Sequence, residues 1–163
     1  MIKIELPTKE NLKSLNLSED FLNFVLYERE RINELKCWCE EPLIDWPFYI
    51  PETIVRAVCL WSRNGDIEVC WERKDGEKEF VSVYHDDPDY SLIGTEFHIK
   101  TDLLVHLIEA GDWDDEIKTI ERLEGIAKKM GYSKFKELNE FHKNTTSECS
   151  FESQVAEFVS KWQ

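Results

Sequence analysis

Hydrophobic and polar residues alternate most regularly in the middle of the chain, from Ile54 to His85. Two dipeptides, Asn64-Gly65 and Asp75-Gly76, divide this region, and both favour two-residue type I′ turns between antiparallel strands. Counting outward from each turn pairs residues of opposite charge, Arg63 with Asp66 and Lys74 with Glu77. The pattern predicts three antiparallel strands.

The same register sorts the side chains of these strands onto two faces of a sheet. The face expected to be buried carries Val58, Leu60, Ile67, Val69, Trp71, Phe80 and Tyr84. Cys59 and Cys70 are expected to lie opposite each other on the other face. In the cytoplasm, where we expect the protein to be, such a pair stays reduced, so we predict free thiols.

Helices and one further strand are predicted before this region. The segment from Ile2 to Leu6 alternates like a half-buried strand that Pro7 ends, and a short helix can follow Thr8. Ser18 is a suitable N-cap for a long helix from about Glu19 to Lys36.

The C-terminal part is predicted to be mainly helical. "TEFHIK" after Gly94 has the pattern of a fourth strand, and a helix is expected to start at Thr101 or Asp102. Asp112 is the expected cap of a second helix that ends at Gly131. Two amphipathic helices follow, at 133–142 and 151–162.

Strands clustered in the middle and helices at both ends indicate an α+β fold. We expect a central antiparallel β-meander of four to five strands, packed with an N-terminal helix and followed by three to four helices. With 163 residues, the chain is predicted to form a single domain, 1–163, with helix and sheet in 1–100 and a helical part in 101–163.

The net charge of the chain bears on whether its partner is a nucleic acid or a basic protein. The chain has 34 acidic and 20 basic residues, a formal net charge of −14, and between Asp86 and Glu116 ten acids accompany one base, Lys100. Nucleic-acid binding depends on clusters of Lys and Arg, so the composition favours a basic protein partner instead. The start "MIKIELP" does not have the basic and apolar pattern of a signal peptide, and no long apolar run occurs, so we expect a soluble cytoplasmic protein.

The acidic segment supplies the candidate binding residues. We predict that an exposed acidic surface contacts the partner, with Trp113 as a half-exposed aromatic anchor within it. The predicted partner-binding residues are Asp86, Asp87, Asp89, Glu96, Asp112, Trp113, Asp114, Asp115 and Glu116.

Catalytic and metal-binding signatures are absent from the sequence. The five cysteines form no CxxC pair, the four histidines form no HxH or HExxH pattern, and no phosphate-binding glycine motif occurs. The segment "HDDPD", His85 to Asp89, is typical of a turn, although a local metal site there is an alternative. We therefore expect no enzyme activity, cofactor or metal.

The segment Ile126 to Lys143 has the Ala-x-x-x-Gly spacing of a helix-turn-helix unit. Its second helix carries Glu137 and Glu140 among its lysines, and in an acidic chain this disfavours DNA recognition. A DNA-binding regulator remains an alternative.

The order of elements resembles that of the SMI1/KNR4, or SUKH, superfamily. The segments concerned are "LSEDFLNFVL", "VCLWSRNGDIEVCWERKDGEKEFVSVYHDD" and "TEFHIKTDLLVHLIEA", from about residue 18 to residue 110. Many bacterial members are immunity proteins that neutralise a toxin, often a nuclease. The resemblance implies a non-enzymatic inhibitor of a bacterial toxin.

Two alternatives to an immunity protein stay open. A nucleic-acid mimic encoded by a mobile element would inhibit a defence nuclease through the same carboxylates. A small metal-dependent hydrolase would use His85 and Asp87 among its metal ligands.

Overall fold

The structure is a computed structural model, which describes residues 2–44, 48–85, 89–111, 115–145 and 148–162. It is an α+β fold, as predicted. The chain divides into two compact units, Met1–Glu96 and Phe97–Gln163. The prediction of a single domain stays a prediction, since such a division leaves open whether the units unfold together.

The first unit contains a five-stranded sheet with the strand order β1-β2-β3-β4-β5. Its strands are β1 (Ile4–Glu5), β2 (Ile54–Arg63), β3 (Asp66–Arg73), β4 (Lys78–Val83) and β5 (Tyr90–Gly94). Strands β2 to β5 form the predicted antiparallel meander, whereas β1 pairs with β2 in parallel, so the sheet is mixed.

The first hairpin has the predicted register. Arg63 pairs with Asp66, and Asn64 and Gly65 both have positive φ, of 53° and 89°. A type I′ turn requires positive φ at both central positions. The turn prediction is therefore confirmed here.

The second hairpin differs from its prediction by one residue. The Arg73 amide donates to the Glu77 carbonyl, and the Gly76 amide donates to the Arg73 carbonyl, so three residues form the loop instead of two. Gly76 is in the left-handed region at φ 84°, while Asp75 has no positive φ. This is a turn closed by one left-handed glycine, an arrangement common in three-residue hairpin loops.

These irregularities change which side chains share a face. A bulge between Cys59 and Trp61 places Cys59 opposite Val69, so the predicted Cys59–Cys70 pair is wrong. The register of β4 differs from the predicted one by one residue, so each β4 side chain lies on the face opposite to the one predicted. The cluster on one face therefore consists of Ile54, Ala57, Cys59, Ile67, Val69, Trp71, Val81 and Val83.

Both faces of the sheet are covered, whereas one buried face was predicted. Ile2, Ile4, Ile44, Phe48 and Ile50 pack against the cluster just described. On the opposite face, Phe21 contacts Trp61 and Phe80, at ring-centroid distances of 6.3 and 6.0 Å.

Short helical elements precede β2. They are α1 (Lys9–Ser14) and α2 (Glu19–Asn23), followed by a π-helical turn (Phe24–Glu28) and two 3-10 turns (Arg29–Arg31 and Asn33–Leu35). The helix predicted from Glu19 to Lys36 therefore begins correctly, with Ser18 as N-cap, but is not continuous.

The buried residue Arg29 takes part in the π turn through both its side chain and its backbone amide. Its Nε atom donates to the Val25 carbonyl at 3.0 Å, and its backbone amide donates to the Phe24 carbonyl. The side chain thus occupies the carbonyl that an α-helix would offer to the Arg29 amide. The amide bonds one residue further back, which produces a π turn.

Four helices follow β5 in the described part of the chain, within the predicted three to four. They are α3 (Glu96–Glu109), α4 (Glu116–Lys129), α5 (Phe135–Asn144) and α6 (Phe151–Trp162). In the second unit, Phe97 stacks on Tyr132 at 5.2 Å, and Phe158 contacts Phe141 at 5.5 Å. No helix in the described part of the chain has the length and apolar character needed to cross a membrane.

Two boundaries in this region were predicted wrongly. The segment "TEFHIK" is not a strand, because α3 already begins at Glu96, five residues before the predicted start, and the fourth strand of the meander is Tyr90–Gly94. The cap of α4 is Asp115, whose Oδ1 atom accepts from the Lys118 amide at 3.4 Å, instead of Asp112. The predicted end of α4 at Gly131, with φ 68°, is confirmed.

Candidate functional site

Four of the predicted partner-binding residues lie in the described part of the chain. Asp89 and Glu96 belong to the first unit, and Asp115 and Glu116 to the second. The other five, Asp86, Asp87, Asp112, Trp113 and Asp114, lie outside the described residues. Whether all nine form one surface therefore stays a prediction.

Glu96 has a structural partner. Its Oε2 atom accepts a hydrogen bond from the Ser18 amide at 3.0 Å, and its Oε1 atom accepts one from the Ser18 hydroxyl. Because Ser18 caps α2, this carboxylate helps to fix the start of that helix. Glu96 therefore has a role within the fold that its position in an acidic segment did not indicate.

Asp115 and Glu116 both have cations beside them. Asp115 lies 3.1 Å from the Lys118 amino group, and Glu116 forms an ion pair with Lys143. Exposed pairs of this kind contribute roughly 0–1 kcal/mol, so a partner can displace the lysines at small cost. The two carboxylates nevertheless lack the cation-free surroundings that were predicted for the acidic surface.

Strand pairing places acidic residues from separate segments at the same end of the sheet. The pairing of Ile67 with Val83, and of Val83 with Tyr90, aligns β3, β4 and β5 at this end. Asp66 immediately precedes Ile67, and Asp89 immediately precedes Tyr90. We call Asp66, His85 and Asp89 the sheet-end cluster.

His85 is held by Asp66 within this cluster. The Nδ1 atom of His85 lies 2.9 Å from the Oδ1 atom of Asp66, and the His85 amide donates to the same oxygen at 3.2 Å. The carboxylate favours a proton on Nδ1 and fixes the orientation of the ring. Asp66 was not among the predicted site residues, although its position directly after the first turn could have indicated it.

Gly65 allows this arrangement. A Cβ atom at this position would lie 3.2 Å from both the Cε1 and the Nδ1 atoms of His85. With φ at 89°, the residue also has a backbone conformation that other residues rarely adopt. The turn that fixes the hairpin therefore also makes room for the histidine.

The excess of negative charge is concentrated in the first unit. Met1–Glu96 contains 21 acidic and 11 basic residues, an excess of 10 negative charges, while Phe97–Gln163 contains 13 and 9, an excess of 4. Near the sheet-end cluster, the cation of Arg63 lies 3.4 Å from the buried carboxylate of Glu68. Most of the formal excess of negative charge therefore lies in the unit that contains the sheet.

The described residues contain no group of three or more His, Cys, Asp and Glu side chains that could hold a metal ion. Asp66 and His85 supply two such side chains, and Asp87, the proposed ligand of the hydrolase alternative, lies outside the described residues. Within the described ranges, the arrangement is one of carboxylates on a surface instead of a converging ligand set.

The helix-turn-helix-like segment forms a groove of about 590 Å³ between α4 and α5. Two lysines of the segment lie beside acids: Lys136 is 3.8 Å from Glu124, and Lys134 is 3.3 Å from Glu137. Its mixed charge gives little attraction for phosphates. The groove is lined by Glu124, Lys128, Gly131, Tyr132, Ser133, Phe135, Lys136 and Glu137.

Comparisons of the chain with protein-family models, with curated proteins and with solved structures return no match. The resemblance to the SMI1/KNR4 superfamily therefore stays a prediction.

Proposed function

We propose that this protein is a non-enzymatic binding protein that captures a basic protein through acidic surface of its first unit. The observation that carries the proposal is the excess of 10 negative charges in Met1–Glu96. An excess of one sign of charge attracts a partner of the other sign and raises its association rate.

The sheet-end cluster is the preferred contact region within that unit. Asp66 is the first residue of β3 and Asp89 immediately precedes β5, and Asp86 and Asp87 lie between β4 and Asp89 in sequence. Asp115 and Glu116 receive less weight because Lys118 and Lys143 already accompany them. This ranking differs from the sequence-based prediction, which did not rank the acidic residues of its partner-binding set.

We propose an immunity protein as the biological role: the basic partner is a bacterial toxin, such as a nuclease, and the complex forms in the cytoplasm. A direct test expresses the product of the neighbouring gene in a host cell with and without this chain. We expect the neighbour alone to arrest growth and co-expression to restore it. A neighbour that neither arrests growth nor binds the chain would contradict the role in toxin neutralisation.

Two matched double variants locate the contact region. Asp87→Lys/Asp89→Lys and Asp115→Lys/Glu116→Lys change the net charge by the same amount. If the sheet end contacts the partner, the first variant slows association about tenfold or more, while the second has a small effect. Equal slowing by both would show that only the total charge matters.

A metal-dependent hydrolase is a second candidate, favoured by the hydrogen bond between Asp66 and His85. Metal-binding histidines usually donate their other ring nitrogen to a carboxylate in this way. The candidate predicts that Zn²⁺ or Mn²⁺ raises the melting temperature of the protein and that His85→Gln abolishes this rise. If neither Zn²⁺ nor Mn²⁺ changed the melting temperature, the metal-dependent hydrolase would be eliminated.

A further inference from the structure

The two edges of the sheet differ in how well they are protected against pairing with another strand. β1 is two residues long, carries Glu5, is preceded by Lys3 and is followed by Pro7. Short length, charge and proline are the means by which proteins prevent the addition of strands to an edge. β5 at the opposite edge has five residues, Tyr90–Gly94, with no charge and no proline.

Large apolar side chains are exposed on β5. Leu92 is 60% exposed and Tyr90 is 38% exposed. They are two positions apart, so they lie on the same face of the strand. The Tyr90 ring also packs edge-on against the buried Trp71 at 4.8 Å, which holds it in place. The strand therefore offers a fixed apolar surface beside an edge.

The start of β5 is acidic. Asp89 is exposed and accepts a hydrogen bond from the Tyr90 amide at 2.9 Å. A positively charged side chain on an added strand would find a carboxylate here, whereas an acidic strand would be repelled. A second copy of the chain is also disfavoured, because both copies would carry a formal charge of −14.

These observations concern how the proposed partner binds, and the inference rests on the proposed function. We infer that a strand of the basic partner pairs with β5 and extends the sheet. Its apolar side chains contact Tyr90 and Leu92, and a lysine or arginine lies beside Asp89. Backbone hydrogen bonds provide affinity in this mode of recognition, and the alternate side chains provide specificity.

A peptide that alternates lysine and valine over seven residues is a suitable probe, with the matching glutamate and valine peptide as its counterpart. Amide chemical shifts of the full-length protein are followed by NMR during titration. We expect the lysine peptide to shift the amides of Tyr90 to Gly94 and the glutamate peptide to leave them in place. No shift at millimolar lysine peptide, shifts centred outside β5, or equal shifts with both peptides would each overturn the inference.

The variant Leu92→Lys tests the same surface with little risk to folding, since the side chain is exposed. It removes an apolar contact and repels a cationic strand, so we expect the affinity for the lysine peptide to fall about tenfold, which corresponds to about 1.4 kcal/mol. Leu43→Lys is the matched control, because Leu43 is 49% exposed and lies outside the strands. An equal loss of affinity in both variants would contradict a site on β5.

The inference and the proposed function can fail separately. If the neighbouring gene product binds and Leu92→Lys leaves its affinity unchanged, the proposed function stands and strand addition is wrong. If the lysine peptide shifts β5 but no basic protein binds the chain, the edge is competent for pairing and the proposed function is wrong.

Discussion

Arg29 is a buried arginine that joins separate backbone segments of the first unit. Its guanidinium is buried, and its donors reach the carbonyls of Val25, Cys39 and Glu40. Arg29 therefore connects the π turn to the segment around Glu40. This segment pairs with β2 through an isolated β-bridge between Glu40 and Ser62. Sequence periodicity could not indicate this role, because an arginine in a helix is normally placed on the exposed side.

Replacing Arg29 with methionine should lower the free energy of unfolding by about 3 kcal/mol, since several buried carbonyls lose a charged donor at once. Urea unfolding followed by tryptophan fluorescence measures the change. Arg31→Met is the control, because Arg31 is 73% exposed and forms a 3.9 Å ion pair with Glu28. A loss below about 1 kcal/mol for Arg29→Met would contradict its role as a buried connector.

The five cysteines should divide into two reactivity classes. Burial raises the pKa of Cys39 well above its ordinary value and raises the pKa of Cys59 and Cys70 to about 12. Thiolates are the reactive form, so these three should react slowly with a disulfide reagent in the folded protein. Cys37 and Cys149 are exposed and should react rapidly. Three or more rapidly reacting thiols under native conditions would contradict the burial of this set.

His98 should contribute to the pH dependence of stability. Burial lowers its pKa below the ordinary value, so the unfolded chain binds this proton more readily than the folded protein. The stability that neutral His98 contributes is fully present above the pKa of this residue in the unfolded chain, about 6.5. It is lost as the pH falls toward the lower pKa of His98 in the folded protein. His98→Gln should therefore lose less stability than the natural protein between pH 7.5 and pH 5.5. Equal losses in urea unfolding would contradict this assignment.

At the scale of elements, α4 contains a glycine that its packing does not explain. A Cβ atom at Gly125 would meet no atom within 4 Å. Gly125→Ala should therefore raise the free energy of unfolding by about 0.5–1 kcal/mol, because alanine restricts the unfolded chain and favours the helix.

Gly111 provides the opposite case for this measurement. A Cβ atom there would lie 2.7 Å from the Thr119 Cγ2 atom and 3.2 Å from the Ile108 carbonyl oxygen. Gly111→Ala should therefore destabilise the protein in the same urea experiment. If both alanine variants changed stability in the same direction, the packing described around the start of α4 would be wrong.

The sequence predicted elements well where local chemistry determines them and less well where other contacts do. The Asn64-Gly65 turn was found because two positive φ values require such residues. The Asp75-Gly76 turn was misassigned because the same dipeptide also suits a three-residue loop. The bulge near Leu60 has no local signature, and it separated Cys59 from Cys70.

The sequence indicated only part of the region proposed as the contact site. The sequence indicated acidic residues after β4, and it missed Asp66, which reaches the same end of the sheet only through strand pairing. It also grouped Glu96 with the exposed acids, because a hydrogen bond to Ser18, 78 positions away, leaves no local pattern. Pairing and long-range contacts are the information that a single sequence does not contain.

For the whole molecule, the unequal distribution of charge is the central feature. An excess of 10 negative charges in Met1–Glu96 and of 4 in Phe97–Gln163 assigns most of the attraction for a cation to the first unit. Because salt screens exposed charges over about 8–10 Å at physiological strength, attraction of this kind weakens as salt is added.

The most direct test recovers the partner of the tagged protein from its parent cells at low and at high salt. We expect a protein with an isoelectric point above about 9, retained at 0.1 M salt and released near 0.5 M as screening increases. The variant Asp87→Lys/Asp89→Lys should recover much less of it than Asp115→Lys/Glu116→Lys does. An acidic partner, a nucleic acid, or a complex that is indifferent to salt and to both variants would contradict the account.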